Sequence, residues 1–197
     1  NSDIAQDGTM DYMLVDVIEI STGKVKCKIL EAPGEYYFDS VNIDREYPNY
    51  LETIYSAPNR KVWTFIVEPG WLDPNNRAAY VARINALTIK PNDRAVIMLN
   101  KADKAPGVID NTGFCHEEAA MGYTNTYFRG IFNRFRNRTP IVNIFKPYNC
   151  GFAPFVTGRY PWVEVEDKQG NTKKVKQFIQ GNDEYPAKLW EEIKKSI

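Results

Sequence analysis

The sequence predicts a three-layer α/β fold, in which a mostly parallel sheet with one antiparallel hairpin strand has helices on both faces. Residues 94–99 (RAVIML) form an apolar run with β-branched residues and polar flanks, as in a strand buried on both faces. A second apolar run at 61–67 (KVWTFIV) and a helical pattern at 76–87 precede it. Strand, helix and strand in this order favour parallel pairing.

The composition limits the possible classes of protein. The 197 residues are 43% hydrophobic, so we expect one domain, residues 1–197, with a substantial core. Lysine plus arginine equals aspartate plus glutamate at 25 each, so no global field favours nucleic acid or an anionic membrane. No apolar run reaches membrane-spanning length and no signal peptide is visible, which favours a cytoplasmic protein without a membrane span.

The cysteine and histidine content argues against two kinds of site. Cys27, Cys115 and Cys150 are odd in number and lack metal-ligand spacing, which favours free thiols in a reducing compartment. His116 is the only histidine. A catalytic serine or cysteine would depend on it entirely, and a histidine-based zinc site is disfavoured.

The first half of the chain predicts a β-hairpin followed by a helix. Two strand-like runs, 12–20 (YMLVDVIEI) and 25–30 (VKCKIL), flank a turn signal at 21–24 (STGK). A helix is expected around residues 50–55.

The second half predicts a long helix, a last strand, a second hairpin and a terminal helix. The long helix is expected at 117–135 and the last strand at 149–156. The second hairpin is expected within a local insertion spanning 161–178, and the terminal helix at 186–197. Four arginines lie near the end of the long helix: Arg129, Arg134, Arg136 and Arg138. A solvated helix end is favoured for them over a partner-binding patch.

Three polar side chains follow the predicted buried strand. Ligands of open parallel sheets lie beyond the carboxyl ends of the strands, where Asn100, Lys101 and Asp103 are expected. A carboxylate accepts a planar pair of donors, and guanine offers such a pair in its ring N–H and exocyclic amino group, whereas adenine does not. Asn100 can donate to the base and to neighbouring loops, and the Lys101 stem can lie along a flat ring. The alternative is a solvated turn with Asp103 as a helix N-cap.

This tetrapeptide, Asn100-Lys101-Ala102-Asp103, resembles the NKxD base-recognition motif of the Ras-like small GTPases, which belong to the TRAFAC class of P-loop GTPases. The resemblance extends in order over residues 9–160. It implies a P-loop NTPase-like fold that binds GTP or GDP with Mg²⁺. It further implies a nucleotide switch that acts on a protein effector or regulator, with no nucleic-acid partner.

A second point of resemblance is Glu31-Ala32-Pro33-Gly34-Glu35, which follows a hairpin as the family's DxxG segment does but has Glu31 where the family has aspartate. The resemblance assigns Glu31 to the magnesium shell and the Gly34 backbone N–H to the terminal phosphate. Glu35 stands at the catalytic position where many members have the glutamine that orients the attacking water. A carboxylate there argues against efficient intrinsic hydrolysis. A type II Pro-Gly turn is the alternative for the whole segment.

A second Pro-Gly turn, Glu68-Pro69-Gly70-Trp71, competes for the phosphate role. Glu31 precedes Asn100 by 69 residues, which accommodates a helix, a strand and another helix. Glu68 precedes Asn100 by only 32 residues. The family layout needs the longer interval, so the segment 31–34 is preferred.

Two weaker correspondences complete the expected site. Thr157 and Gly158 follow the last predicted strand, where the family has a loop whose backbone N–H contacts the guanine carbonyl. A strand followed by Thr-Gly is also common without any such role. Thr9 precedes the first strand and corresponds to the switch threonine that meets magnesium, with an ordinary loop threonine as the alternative.

The family's phosphate loop, GxxxxGK[ST], is not found in the sequence. Either this loop lies upstream of the chain, in which case we expect GTP hydrolysis, or the domain has lost it and is a pseudo-GTPase interaction scaffold. The first explanation is favoured, because the centre of the sheet would otherwise be exposed.

Overall fold

The computed structural model describes residues 13–31, 49–71, 73–110, 115–137, 139–159, 161–166 and 170–197. The chain divides into two compact units, Asn1–Pro58 and Asn59–Ile197. Nothing in this division tests the expectation of one domain over residues 1–197. No helix in the described ranges is long and apolar enough to cross a membrane.

The first unit contains the predicted hairpin. Strand β1 (Met13–Ile18) pairs antiparallel with β2 (Val25–Glu31), in a register that begins with Met13 opposite Glu31. Gly23 adopts φ +67° in the connecting turn, and its N–H donates to the Glu19 carbonyl at 2.8 Å. A glycine is favoured there because side chains strain this backbone region. The helix α1 (Asn49–Ser56) lies where a helix was expected.

The second unit is organised by a parallel sheet of three strands in the order β3-β4-β5. They are β3 (Val62–Val67), β4 (Arg94–Asn100) and β5 (Gly151–Phe155). Every residue from Ala95 to Leu99 is buried, which confirms the strand predicted to be covered on both faces. The mixed α/β class, with its parallel sheet and its antiparallel hairpin, is therefore correct.

The helix α2 (Pro74–Ala86) connects β3 to β4 and makes their parallel pairing possible. Its first turn is capped by Asp73, whose carboxylate accepts from the Asn75 N–H at 2.8 Å, and Pro74 occupies the first helical position. Among the described residues β2 pairs only with β1. The expected continuation of the hairpin into the parallel sheet stays a prediction.

The long helix predicted at 117–135 is wrong in its second half. The helix α3 (Glu117–Tyr127) ends where the chain turns at Phe128, and Gly130 takes φ +90°. A 3₁₀ turn (Asn133–Phe135) and the short helix α4 (Pro140–Phe145) follow. The turn buries Phe128, Ile131 and Phe132 almost completely. Since their spacing also fits a helix, the apolar pattern did not reveal the break.

After β5 the chain forms four short strands in two antiparallel pairs and then returns to the sheet. The short strands β6 (Gly158–Arg159) and β9 (Ile179–Gln180) pair with each other. Between them β7 (Trp162–Glu166) and β8 (Thr172–Lys176) form an antiparallel hairpin. The last helix, α5 (Glu184–Ser196), begins two residues before the predicted start and packs on β5 and β4.

A buried carboxylate joins the starts of β3 and β4. Asp93 is 7% exposed. Its two oxygens accept from the Lys61 backbone N–H at 3.0 Å and from the Trp63 indole N–H at 3.2 Å. The Lys61 carbonyl in turn accepts from the Arg94 N–H at 2.9 Å. These bonds fix the register in which Val62 lies opposite Arg94.

We expect Asp93→Ala to lower the free energy of unfolding by about 2 kcal/mol, because two partly buried N–H donors lose a charged acceptor. The matched control is Asp73→Ala, which removes an exposed helix cap and costs about 1 kcal/mol. Urea denaturation followed by tryptophan fluorescence measures both. Equal losses in the two variants would contradict the structural role of Asp93.

Candidate functional site

The register of the parallel sheet brings three segments to one edge. Val67 lies opposite Leu99, and Asn100 lies opposite Phe155. The residues that follow these strands are therefore neighbours: Glu68 after β3, Lys101 after β4, and Thr157 shortly after β5. This edge is where a parallel sheet binds its ligands.

Glu68 holds two of the predicted site residues. The Asn100 amide Nδ2 donates to Glu68 Oε1 at 2.7 Å, and the Lys101 ammonium donates to Glu68 Oε2 at 2.6 Å. The Glu68 side chain is 22% exposed and that of Lys101 is 49% exposed. A single carboxylate thus orients both side chains at the rim of the sheet.

Glu68 is missing from the residues that the sequence assigned to the site. The spacing argument weighed it only as a phosphate-binding alternative to Glu31. Its position directly after the strand that neighbours β4 was the available signal, since parallel neighbours end at the same edge.

Lys101 adopts a left-handed backbone conformation with φ +54°, which no other non-glycine residue in the described ranges shares. This conformation is unfavourable for a residue with a side chain and persists where surrounding contacts impose it. It turns the chain into a 3₁₀ turn (Ala102–Lys104), closed by the Lys104 N–H and the Lys101 carbonyl at 2.9 Å. Ala102 is fully buried while Lys101 and Asp103 are exposed. The turn therefore presents both polar side chains outward.

Asp103 lies near the start of α5. Burial raises the pKa of Tyr185, and the neighbouring Cys115 and Asp103 raise it further, as do Glu184 and Asp110. The phenol of Tyr185 therefore loses its proton only at a higher pH than an exposed tyrosine does. Asp110 in turn lies 3.2 Å from His116 Nε2.

Thr157 and Gly158 lie at the same edge but are engaged in strand pairing. The Thr157 carbonyl accepts from the Gly181 N–H at 3.2 Å, and Gly158 pairs with Gln180. Gly158 has φ +152°, and a Cβ atom there would come within 2.6 Å of the Ile179 carbonyl oxygen. The structure thus explains the glycine by close packing, and its contact with guanine stays a prediction.

The residues expected around phosphate and magnesium are represented only by Glu31, an exposed residue at the end of β2. Thr9, Gly34 and Glu35 lie outside the described residues. Within the described part of the chain, no group of three or more histidine, cysteine, aspartate or glutamate side chains could hold a metal. One carboxylate does not make a magnesium site, so magnesium stays a prediction and no reaction step is derived through it.

The cysteines of this unit are not activated nucleophiles. Burial, aided by Glu117, raises the pKa of the Cys115 thiol to about 11. Burial likewise raises the pKa of Cys150 to about 12, with Glu192 adding to it and Lys146 opposing it. A reactive cysteine needs a lowered pKa. Both thiols therefore favour the protonated form at neutral pH.

No family model, no curated protein and no solved structure matches this chain. The resemblance to small GTPases consequently depends on the motifs and on their positions in the fold.

We expect Glu68→Ala to lower the free energy of unfolding by about 1 kcal/mol, since it removes two charge-assisted bonds that are partly screened by solvent. Glu164→Ala is the matched control. Its ion pair with Lys174 spans 3.6 Å between side chains that are 65% and 70% exposed. This control is expected to change stability by less than about 0.5 kcal/mol. A Glu68→Ala variant as stable as the Glu164→Ala variant would show that the Glu68 contacts contribute nothing.

Proposed function

We propose that this chain is a guanine-nucleotide-binding domain of the small-GTPase class. One observation carries the proposal. Asn100-Lys101-Ala102-Asp103 leaves the buried central strand of a parallel sheet at its carboxyl edge, with the Asp103 carboxylate exposed beyond it. This is the placement that distinguishes a base-recognition motif from four letters in a surface turn.

The base is recognised by hydrogen bonds to one carboxylate. Asp103 accepts from the ring N–H and the exocyclic amino group of guanine, whereas adenine offers a nitrogen lone pair at the corresponding ring position. The methylene stem of Lys101 lies along the ring. Its ammonium is already fixed by Glu68 at 2.6 Å, so little freedom is lost on binding.

The topology supports the finer assignment to the P-loop NTPase-like folds. An antiparallel hairpin precedes three parallel strands in the chain, and the motif follows the central one. Strand β5 neighbours β4, so the Thr157–Gly158 backbone follows at the edge where the base is proposed to lie.

The proposed phosphate and magnesium contacts depend on the resemblance alone. It assigns the terminal phosphate to Gly34 and the accompanying Mg²⁺ to Glu31 and Thr9. Hydrolysis in this class is an in-line attack of water on the terminal phosphate, and electrostatic stabilisation supplies most of the acceleration. Glu35 occupies the water-orienting position with a carboxylate, which favours slow turnover. A pseudo-GTPase that acts as an interaction scaffold is therefore the second candidate.

Calorimetric titration of the chain tests the base site. We expect GDP and GTP to bind and ATP to bind more weakly by about tenfold or more, because adenine leaves the Asp103 carboxylate unpaired. Asp103→Asn should transfer the preference to xanthine nucleotides. The amide N–H₂ can donate to the carbonyl that replaces the amino group of guanine.

Asp110→Asn is the control for this titration, since it neutralises a carboxylate near the same tyrosine outside the motif. It should leave guanine selectivity unchanged. Equal affinity for GDP and ATP would refute the proposed function, as would absence of guanine-nucleotide binding by a form of the protein that includes any residues upstream of this chain.

Phosphate release from GTP tests catalysis separately. If the phosphate loop lies upstream, we expect slow turnover by the protein that includes it and faster turnover by its Glu35→Gln variant. An amide can orient the attacking water without the repulsion of a carboxylate near the phosphates. Guanine binding without turnover in either form would favour the scaffold over the enzyme.

A further inference from the structure

The neutral chain contains a long segment of one charge sign. Residues 119–163 include no aspartate or glutamate. They include six cationic residues: Arg129, Arg134, Arg136, Arg138, Lys146 and Arg159. The segment therefore creates a positive field that the net charge of zero conceals.

Within this segment the chain forms a closed loop. A backbone bridge joins Arg136 to Tyr148, and the Asn137 N–H donates to the Pro147 carbonyl at 2.9 Å. The Tyr148 ring contacts Phe132 in the core, with ring centroids 4.9 Å apart. The neck of the loop is thus fixed, and residues 139–146, which include α4, form its tip.

The tip exposes large apolar side chains. Ile141, Ile144 and Phe145 are 72%, 76% and 85% exposed, and no residue of α4 is buried. Exposed Arg136 and Lys146 lie at the neck, where the Asn137 side chain donates to the Lys146 carbonyl. Clustered apolar side chains within a cationic surround are typical of an interaction surface rather than of solvated loops.

We propose that residues 139–146 insert into the headgroup region of an anionic lipid bilayer. Because no residue of α4 is buried, the structure shows an exposed helix at the tip. A six-residue helix also offers much less surface than the roughly 800 Å² that each partner buries in a stable protein interface. Phe145 could stack on a nucleic-acid base. The aliphatic Ile141 and Ile144 could not, so a complex with nucleic acid would leave them exposed. Apolar side chains next to cations match the two forces that hold a protein at an anionic membrane surface.

The carboxylate of Glu192, in the described part of the chain, offsets little of this field. Glu192 lies beside Gly151, close to the end of the loop, but it is 15% exposed and bound to Lys195 at 2.8 Å. The neck also adjoins the amino end of β5, whereas the candidate base site lies at the carboxyl edge of β4. Gly151 lies opposite Val96, four residues before Asn100, so the two ends are about 13 Å apart along the strands. Membrane contact at the tip therefore leaves the candidate base site open.

Sedimentation of the whole chain with vesicles tests the proposal. We expect binding to phosphatidylcholine vesicles that contain about 30 mol % phosphatidylserine and much weaker binding to phosphatidylcholine alone. Raising the salt concentration to about 0.5 M should weaken the binding. Replacing both Ile144 and Phe145 by serine should lower the partition coefficient at least about tenfold, since their burial in the bilayer is lost.

Two matched controls distinguish binding through this surface from non-specific binding through other exposed apolar or cationic side chains. Ile18→Ser with Ile20→Ser removes two exposed apolar side chains from the first unit and should leave partitioning unchanged. Replacing both Arg136 and Lys146 by glutamine should lower the partition coefficient about fivefold per charge removed. Replacing both Lys24 and Lys194 by glutamine gives the same net charge and should leave the partition coefficient unchanged. Because the tip side chains are exposed, the urea midpoints of the tip variants should equal that of the unmodified chain.

Equal partitioning of the tip variant and the unmodified chain would overturn the proposal. Absence of binding to both kinds of vesicle would also overturn it. Binding of an acidic protein or of RNA in place of vesicles would assign the surface to another class of partner.

Discussion

The second unit depends on the burial of β4. Its residues from Ala95 to Leu99 are covered on both faces, and buried backbone N–H and carbonyl groups require hydrogen-bond partners. The parallel neighbours β3 and β5 supply them. Once these three strands are paired, their carboxyl ends must meet at one edge. The meeting of Glu68, Asn100 and Thr157 is a consequence of this pairing.

Two carboxylates act on the same pair of strands from opposite ends. Asp93, before β4, bonds to the backbone and indole N–H groups at the start of β3. Glu68, after β3, bonds to the side chains that follow β4. Asp93 is buried and serves the register alone. Glu68 is partly exposed, and it orients polar groups at the edge where a ligand would bind. A carboxylate that accepts hydrogen bonds across the two strands thus stabilises the sheet at one end. At the other end a second carboxylate orients the side chains of the candidate site.

The distribution of charge differs from what its total indicates. Equal numbers of acidic and basic residues give no overall field. In residues 119–163, however, every charged residue is cationic. Arg129, Arg134 and Arg136, which were expected at a solvated helix end, lie beyond the end of α3 because the chain turns at Phe128. Arg138 lies outside the described residues. The turn at Phe128 separates α3 from the loop that carries α4 and exposes Ile144 and Phe145 at its tip. Local folding, rather than net charge, decides which surfaces can interact.

The sequence by itself determined the features that short patterns encode. These are the burial of β4, the hairpin with its glycine turn, the helix between β3 and β4, and the turn that presents Lys101 and Asp103. Each depends on periodicity or on turn residues within a few positions. Only the tertiary structure decided the partnership of Glu68 with Asn100, the role of Asp93 and the end of α3. Residues 30 or more positions apart meet through sheet register, which no local pattern records, and buried aromatic residues can follow helical spacing without forming a helix.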